Sequence, residues 1–146
     1  GPTGVGKSHL AAATARAIAA RHDLTLAYIS EPALFKFLRE GWGQEGDESE
    51  DARLSLLQEA DLLVIDDLYT EHRGKDSTWA DSKLVALTMP RHQFERLTII
   101  TSNVSLDDID EPRLRSRIKG RTSEDYAGRN QRLLIRNADQ REGGKR

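Results

Sequence analysis

Eight residues at the start of the chain, GPTGVGKS, restrict its fold more than any other stretch. Gly1, Gly6, Lys7 and Ser8 spell G-x-x-x-x-G-K-[ST] around Pro2, Thr3, Gly4 and Val5. In this pattern backbone N–H groups wrap a polyphosphate, because glycines adopt positive φ without steric cost. Lys7 then reaches the β- and γ-phosphates, and Ser8 a Mg²⁺ ion. Gly1 through His9 are the expected phosphate-binding stretch. Such a loop hangs between a buried strand and a helix, whose positive amino end adds attraction for the anion. The helix follows in this sequence, and the strand is expected upstream of Gly1.

The rest of the chain alternates in the way this loop demands. Lys7 to about Arg21 is alanine-rich and predicts a helix packed tightly on a sheet, through Leu10, Thr14 and Ile18 or through Leu10, Ala13, Ala17 and Ala20. LTLAYIS (24–30) reads as a strand, and Pro32 starts an amphipathic helix through Ala33, Leu34, Phe37 and Leu38. Residues 41–51 form an acidic loop and 52–59 a short helix. LLVIDD (62–67) has the unbroken apolar run of a strand buried on both faces, as in parallel sheets. A further helix is expected over 82–95, interrupted near Pro90. LTIITSN (97–103) repeats the strand design, PRLRSRIK (112–119) is a short basic helix, and RLLIRN (132–137) a last strand. Strands alternating with helices imply right-handed crossovers and a parallel sheet with helices on both faces. Ligands of such sheets bind beyond the carboxyl ends of the strands. The polar residues after LLVI and after LTII fall there, beside the phosphate loop.

Those residues carry chemistry suited to a phosphate. Asp66 and Asp67 supply one carboxylate to hold a hydrated metal and another to orient water, so Asp66 is the metal-side acid and Asp67 the base. Asn103 ends the next strand, where an amide donates to a γ-phosphate oxygen while accepting from the attacking water; Thr101 can share this role. Of the arginines at 113, 115 and 117, only Arg113 and Arg117 can share a helical face. A guanidinium there stabilises transition-state charge when a neighbouring molecule inserts it. The four histidines share no helical spacing, and no zinc site is expected. Trp42 and Trp79 are expected to pack locally rather than form a stacking platform, so nucleic-acid contact would depend on phosphate charge.

Composition narrows the setting. The 146 residues, 37% hydrophobic and 32% charged, make one domain's worth of chain. No cysteine occurs, which excludes disulfides and thiolate metal sites and fits a cytoplasmic protein. No apolar run approaches the roughly 20 residues that span a bilayer, so no membrane partner is expected. The chain lacks a start methionine and is expected to be part of a longer one. Its net charge of −2 hides an asymmetry: residues 1–112 hold 11 Lys/Arg against 20 Asp/Glu, a balance of −9, and residues 113–146 hold 11 against 4, a balance of +7. Such a split permits a nucleic-acid or acidic-partner surface at one end.

Taken together, GPTGVGKSHLAAA, ADLLVIDDL, LTIITSN and EPRLRSRIKG resemble the ATPase domain of bacterial replicative-helicase loaders of the DnaC/DnaI type, in the AAA+ superfamily. The resemblance spans nearly the whole chain, residues 1–146 as a single AAA+ domain. It makes Gly1 to Ser8 the Walker A motif, Asp66 and Asp67 Walker B, Asn103 sensor 1 and Arg117 the arginine finger, with Arg141 in NADQR as sensor 2. It implies a P-loop α/β fold of strand order 5-1-4-3-2, with strand 1 missing from this sequence and no helical lid after the last strand. It also implies ATP and Mg²⁺ as cofactors, and ATP-dependent homo-oligomers that deliver a DnaB-type helicase to single-stranded DNA. IstB-type transposition helpers share the four motifs and are the alternative. An ATP-switched binding module of negligible turnover is another. A nucleotide kinase shares the P-loop, but the Asn-capped strand and the absence of an acceptor site or lid stand against it. The second Walker B acid departs from the family's usual Glu, and a carboxylate one methylene shorter orients water less well.

Overall fold

A computed structural model describes residues 3–69, 77–109 and 111–122. Among these residues three parallel strands lie in the order β1-β2-β3: β1 Leu26–Ser30, β2 Leu62–Leu68 and β3 Leu97–Ser102. Among the described residues five helices surround them: α1 Lys7–His22, α2 Glu31–Arg39, α3 Glu50–Glu59, α4 Ser77–Gln93 and α5 Pro112–Thr122. The expected alternation and parallel pairing hold, and the sheet corresponds to the 2-3-4 part of the expected order. The strand expected over 132–137 and the tail lie outside the described residues.

The apolar run in β2 places it in the middle. Leu62 to Ile65 are all buried, and their alternation splits them between two cores. Leu62 and Val64 meet Ala11, Ala15 and Ala19 of α1, with Ile18, Leu24 and Ile99 at the margin. Leu63 and Ile65 face the other way, into a larger cluster with Leu34 and Leu38 of α2, Leu54 and Leu57 of α3, Leu84 and Leu87 of α4, and Leu114 of α5. Helices therefore cover both faces.

Two expectations need correction. The buried stripe of α1 is Ala11, Ala15 and Ala19, whereas Leu10, Ala13, Thr14, Ala17 and Ala20 are exposed. The sheet accepts the smallest side chains at i, i+4 and i+8 so that the helix can lie close, and the larger Leu10 is left outside. The fourth helix begins at Ser77 rather than 82 and runs through Pro90 without interruption. Pro90 lacks the N–H that would bond the Ala86 carbonyl one turn earlier. Gln58 of α3 supplies the missing donor, its Nε2 lying 2.9 Å from that oxygen.

Arg91 follows in the same helix and is almost fully buried. Its guanidinium donates to the carbonyls of Leu57, Gln58 and Ala60 at the end of α3, to Leu97 O and to the Thr98 hydroxyl. Burial first, and Arg96 beside it second, bring it down to about 10, which still leaves it charged at neutral pH. Trp42 and Trp79 pack edge to face at 5.5 Å, as local packing requires.

Candidate functional site

The carboxyl ends of the three strands and the start of α1 come together at one edge of the sheet. The loop before α1 turns through two glycines at positive φ, Gly4 at 80° and Gly6 at 87°. Gly6 is the N-cap residue, with no side-chain cap, and no acid stands in the first turn of α1. The amino end of the helix is thereby left to an anion. Val5 is buried and anchors the loop, Lys7 and Ser8 are half-buried, and Thr3 and His9 are exposed. Gly1 and Pro2 lie outside the described residues.

Lys7 Nζ donates to Asn103 Oδ1 at 2.6 Å, across 96 residues of sequence. An ammonium has no acceptor, so the amide oxygen is the end that faces Lys7, and the amide N–H₂ is left as the donor end. The first and third sequence motifs thus touch directly.

The two acids lie on a bulge of β2 opposite Thr101, two residues before Asn103. Ile65 pairs with Ile100 and Leu68 with Ser102, so Asp66 and Asp67 together oppose the single residue Thr101. Asp67 takes up the extra residue at φ 56°, a left-handed conformation that aspartate tolerates better than most side chains. Tyr69 follows at φ 63°. Side chains from neighbouring elements secure this irregular backbone. Thr101 Oγ1 accepts from the Asp67 N–H at 2.9 Å, and Ser102 Oγ donates to Leu68 O at 2.6 Å. Glu31, an acid only 4% exposed at the start of α2, accepts from the Tyr69 N–H at 2.7 Å. Each residue of Thr101-Ser102-Asn103 therefore bonds a different part of the site.

Asp66 is 7% exposed. Its Oδ1 accepts the Thr101 hydroxyl, and its Oδ2 accepts the Tyr28 hydroxyl at 2.8 Å. The Tyr28 ring is half-exposed, yet its hydroxyl end sits against the acids. Burial of that end, the Asp66 hydrogen bond and the charges of Asp66 and Asp67 push the phenol up to about 12, so it is a donor at neutral pH. Among the described residues no group of three or more His, Asp or Glu makes a ready-built metal cage. What stands here is one carboxylate with spare lone pairs and a second acid beside it; the Ser8 hydroxyl lies at the start of α1. This sparse oxygen set suits Mg²⁺, which keeps waters and takes phosphate oxygens, better than Zn²⁺ or Ca²⁺.

A family model described as IstB-like ATP binding protein matches residues 1–112. The chain belongs to this family. No curated protein matches the chain. Among solved structures, this IstB-like domain is similar to the DnaC helicase loader, with a TM-score of 0.61 and 29% identity over 71% of this chain and 55% of that one. It is also similar to AMPPCP-bound DnaA from Aquifex aeolicus, with a TM-score of 0.68 and 20% identity over 82% of this chain and 36% of that one. A DnaA bound to AMPPCP and single-stranded DNA gives a TM-score of 0.69 at the same identity and coverage. The DnaA likeness shows the fold. The IstB-like domain is thus an AAA+ P-loop ATP-binding domain, and it spans about half or less of the chains it matches.

Of the residues expected to act in the IstB-like site, Lys7, Asp66, Asp67 and Asn103 are brought together. Arg117 lies on α5, its side chain outside the described residues, and Arg141 also lies outside them. Arg115 is occupied elsewhere, donating to Asp107 O and Ile109 O at 3.3 Å each. Sequence reasoning missed Tyr28, Glu31 and Ser102. Counting back from the ends of LAYIS and LLVID in parallel register is the one signal that would have put Tyr28 near Asp66.

Proposed function

We propose that this chain is a Mg²⁺-dependent ATPase that works in DNA replication as a loader, assembling as an ATP-dependent homo-oligomer that places a DnaB-type helicase on single-stranded DNA. The observation that carries the ATPase reading is the Lys7–Asn103 contact, made two residues after the Thr101 that bonds both Asp66 and Asp67 of the bulge.

The loop N–H groups and Lys7 neutralise the triphosphate. Ser8 and Asp66 would hold Mg²⁺, which when bound shields the β- and γ-phosphate charge. Asp67 orients the attacking water and accepts its proton, and the Asn103 amide donates to a γ-phosphate oxygen. Arg117 from a neighbouring copy completes the charge stabilisation, and Arg141 serves as sensor 2.

Turnover and nucleotide affinity, measured separately, test this. Lys7→Ala is expected to lower ATP affinity by more than about tenfold. Asp67→Asn should leave affinity near the parent value and slow turnover by roughly 10²-fold or more, the usual worth of a general base. Arg117→Ala should lose turnover and regain it on mixing with Lys7→Ala, which carries an intact arginine. Near-zero turnover in the parent, with binding of client or DNA that differs between ATP and ADP, would reduce the protein to an ATP-switched binding module, and equal turnover in parent and Asp67→Asn would remove Asp67 as the base. The family match favours a second client, a transposase partner as for IstB-type helpers. Co-purification with the replicative helicase in ATP supports the loader, and co-purification with a transposase instead supports the helper.

A further inference from the structure

One side chain reaches the acids from a strand to which no role has yet fallen. Tyr28 pairs with Val64 in the parallel register, so Asp66 lies two residues further along the neighbouring strand. Side chains alternate along strands, which puts Tyr28 and Asp66 on the same face. A short side chain at this position would stop well before the carboxylate. The tyrosine spans the diagonal and donates to Asp66 Oδ2 at 2.8 Å, while Thr101 on β3 donates to Oδ1. The carboxylate is gripped at both oxygens, from both neighbouring strands.

Packing does not account for Tyr28. It is 44% exposed on an edge strand and belongs to neither apolar cluster. What fixes the ring is the bond at its tip. Asp66, by contrast, is almost withdrawn from solvent and has little water to orient it. With a neutral hydroxyl on each oxygen, the plane of the carboxylate is set before a ligand arrives, and each oxygen keeps a further acceptor position.

We infer that Tyr28 is a positioning residue for the divalent cation of the bound nucleotide: its hydroxyl and that of Thr101 clamp Asp66 so that the remaining lone pairs already face the cation's hydration shell. This rests on the reading of the site as one for Mg²⁺-nucleotide. Groups that orient a metal-side carboxylate affect how readily the metal is engaged. The grip of the loop N–H groups and Lys7 on the triphosphate does not pass through Tyr28.

The test is binding of a fluorescent ATP analogue to the full chain, first in chelator and then with rising Mg²⁺. Tyr28→Phe keeps the half-exposed ring and removes only the hydroxyl. Affinity in chelator is expected to stay within about twofold of the parent. The Mg²⁺ concentration for half-maximal enhancement should rise about tenfold or more, the effect of one lost hydrogen bond to a charged acceptor. An unchanged Mg²⁺ requirement, or an equal loss of affinity with and without Mg²⁺, overturns the inference while leaving the ATP site standing. A parent chain that binds no nucleotide in either condition overturns the reading of the site, and the inference with it.

Discussion

Asp61, at the amino end of β2, does structural work at the edge of the sheet opposite the paired acids. Its Oδ2 accepts from the Thr25 N–H at 2.9 Å and the Thr25 hydroxyl at 2.7 Å, and its own N–H donates back to that hydroxyl at 3.0 Å. The side-chain bond first, the backbone bond next, and then the charges of Arg96 and Arg91 hold its carboxyl below the usual carboxylate range. Below about pH 4 the unfolded chain binds a proton that the folded one resists, so stability falls as pH falls. Urea melts from pH 6 to pH 2 should therefore decline more steeply for the parent than for Asp61→Asn, since the other carboxylates contribute equally to both. At this scale the sequence is legible only where a residue type has few other uses. Lys7 and the paired acids announce themselves by spacing. Thr25–Asp61 and Tyr28–Asp66 join positions 36 and 38 residues apart and exist only because two strands run parallel in one register.

The elements are legible where one period dominates: LLVI reads directly as a doubly buried strand, and α2 shows its Leu34–Leu38 stripe. Helix α4 is harder to read because its least helical residue is rescued from outside. Pro90 argues for a break, and nothing nearby in sequence says that Gln58, on another helix, will bond the Ala86 carbonyl it leaves open. This makes a coupled prediction. Gln58→Met keeps the length and loses the donor, at an expected cost of about 1–2 kcal/mol in urea unfolding. With Pro90→Ala in the same chain, the restored helix N–H takes the Ala86 carbonyl, and most of that cost should disappear. A coupling below about 0.3 kcal/mol in the double-mutant cycle would show that the Gln58 bond is not a substitute for the helical one. The α1 stripe misleads for a related reason: several faces of an alanine-rich helix look alike, and only the flat sheet beneath selects the one with the smallest residues.

For the whole molecule, the site joins the ends of separate elements, so a bound nucleotide should stabilise the fold as a unit. Ligand at about 100 times its Kd adds roughly 2.7 kcal/mol. For a chain of this size that corresponds to a rise in Tm of about 5–10 °C. Calorimetry with and without Mg²⁺-ATP checks this, and for Lys7→Ala at the same ligand concentration the rise should be at most about half as large. Fold class and the ATP site are legible at this scale because the three motifs recur at the ends of successive elements. The basic last quarter of the chain is legible only as charge, since a balance of +7 over residues 113–146 names no partner by itself. The bulge carries one more consequence. A lone hydroxyl, that of Thr101, serves the carboxylate of Asp66 and the main chain of Asp67 together. A change at Thr101 therefore disturbs both acids at once, whereas a change at Tyr28, on the opposite strand, takes a bond from the Asp66 carboxylate alone.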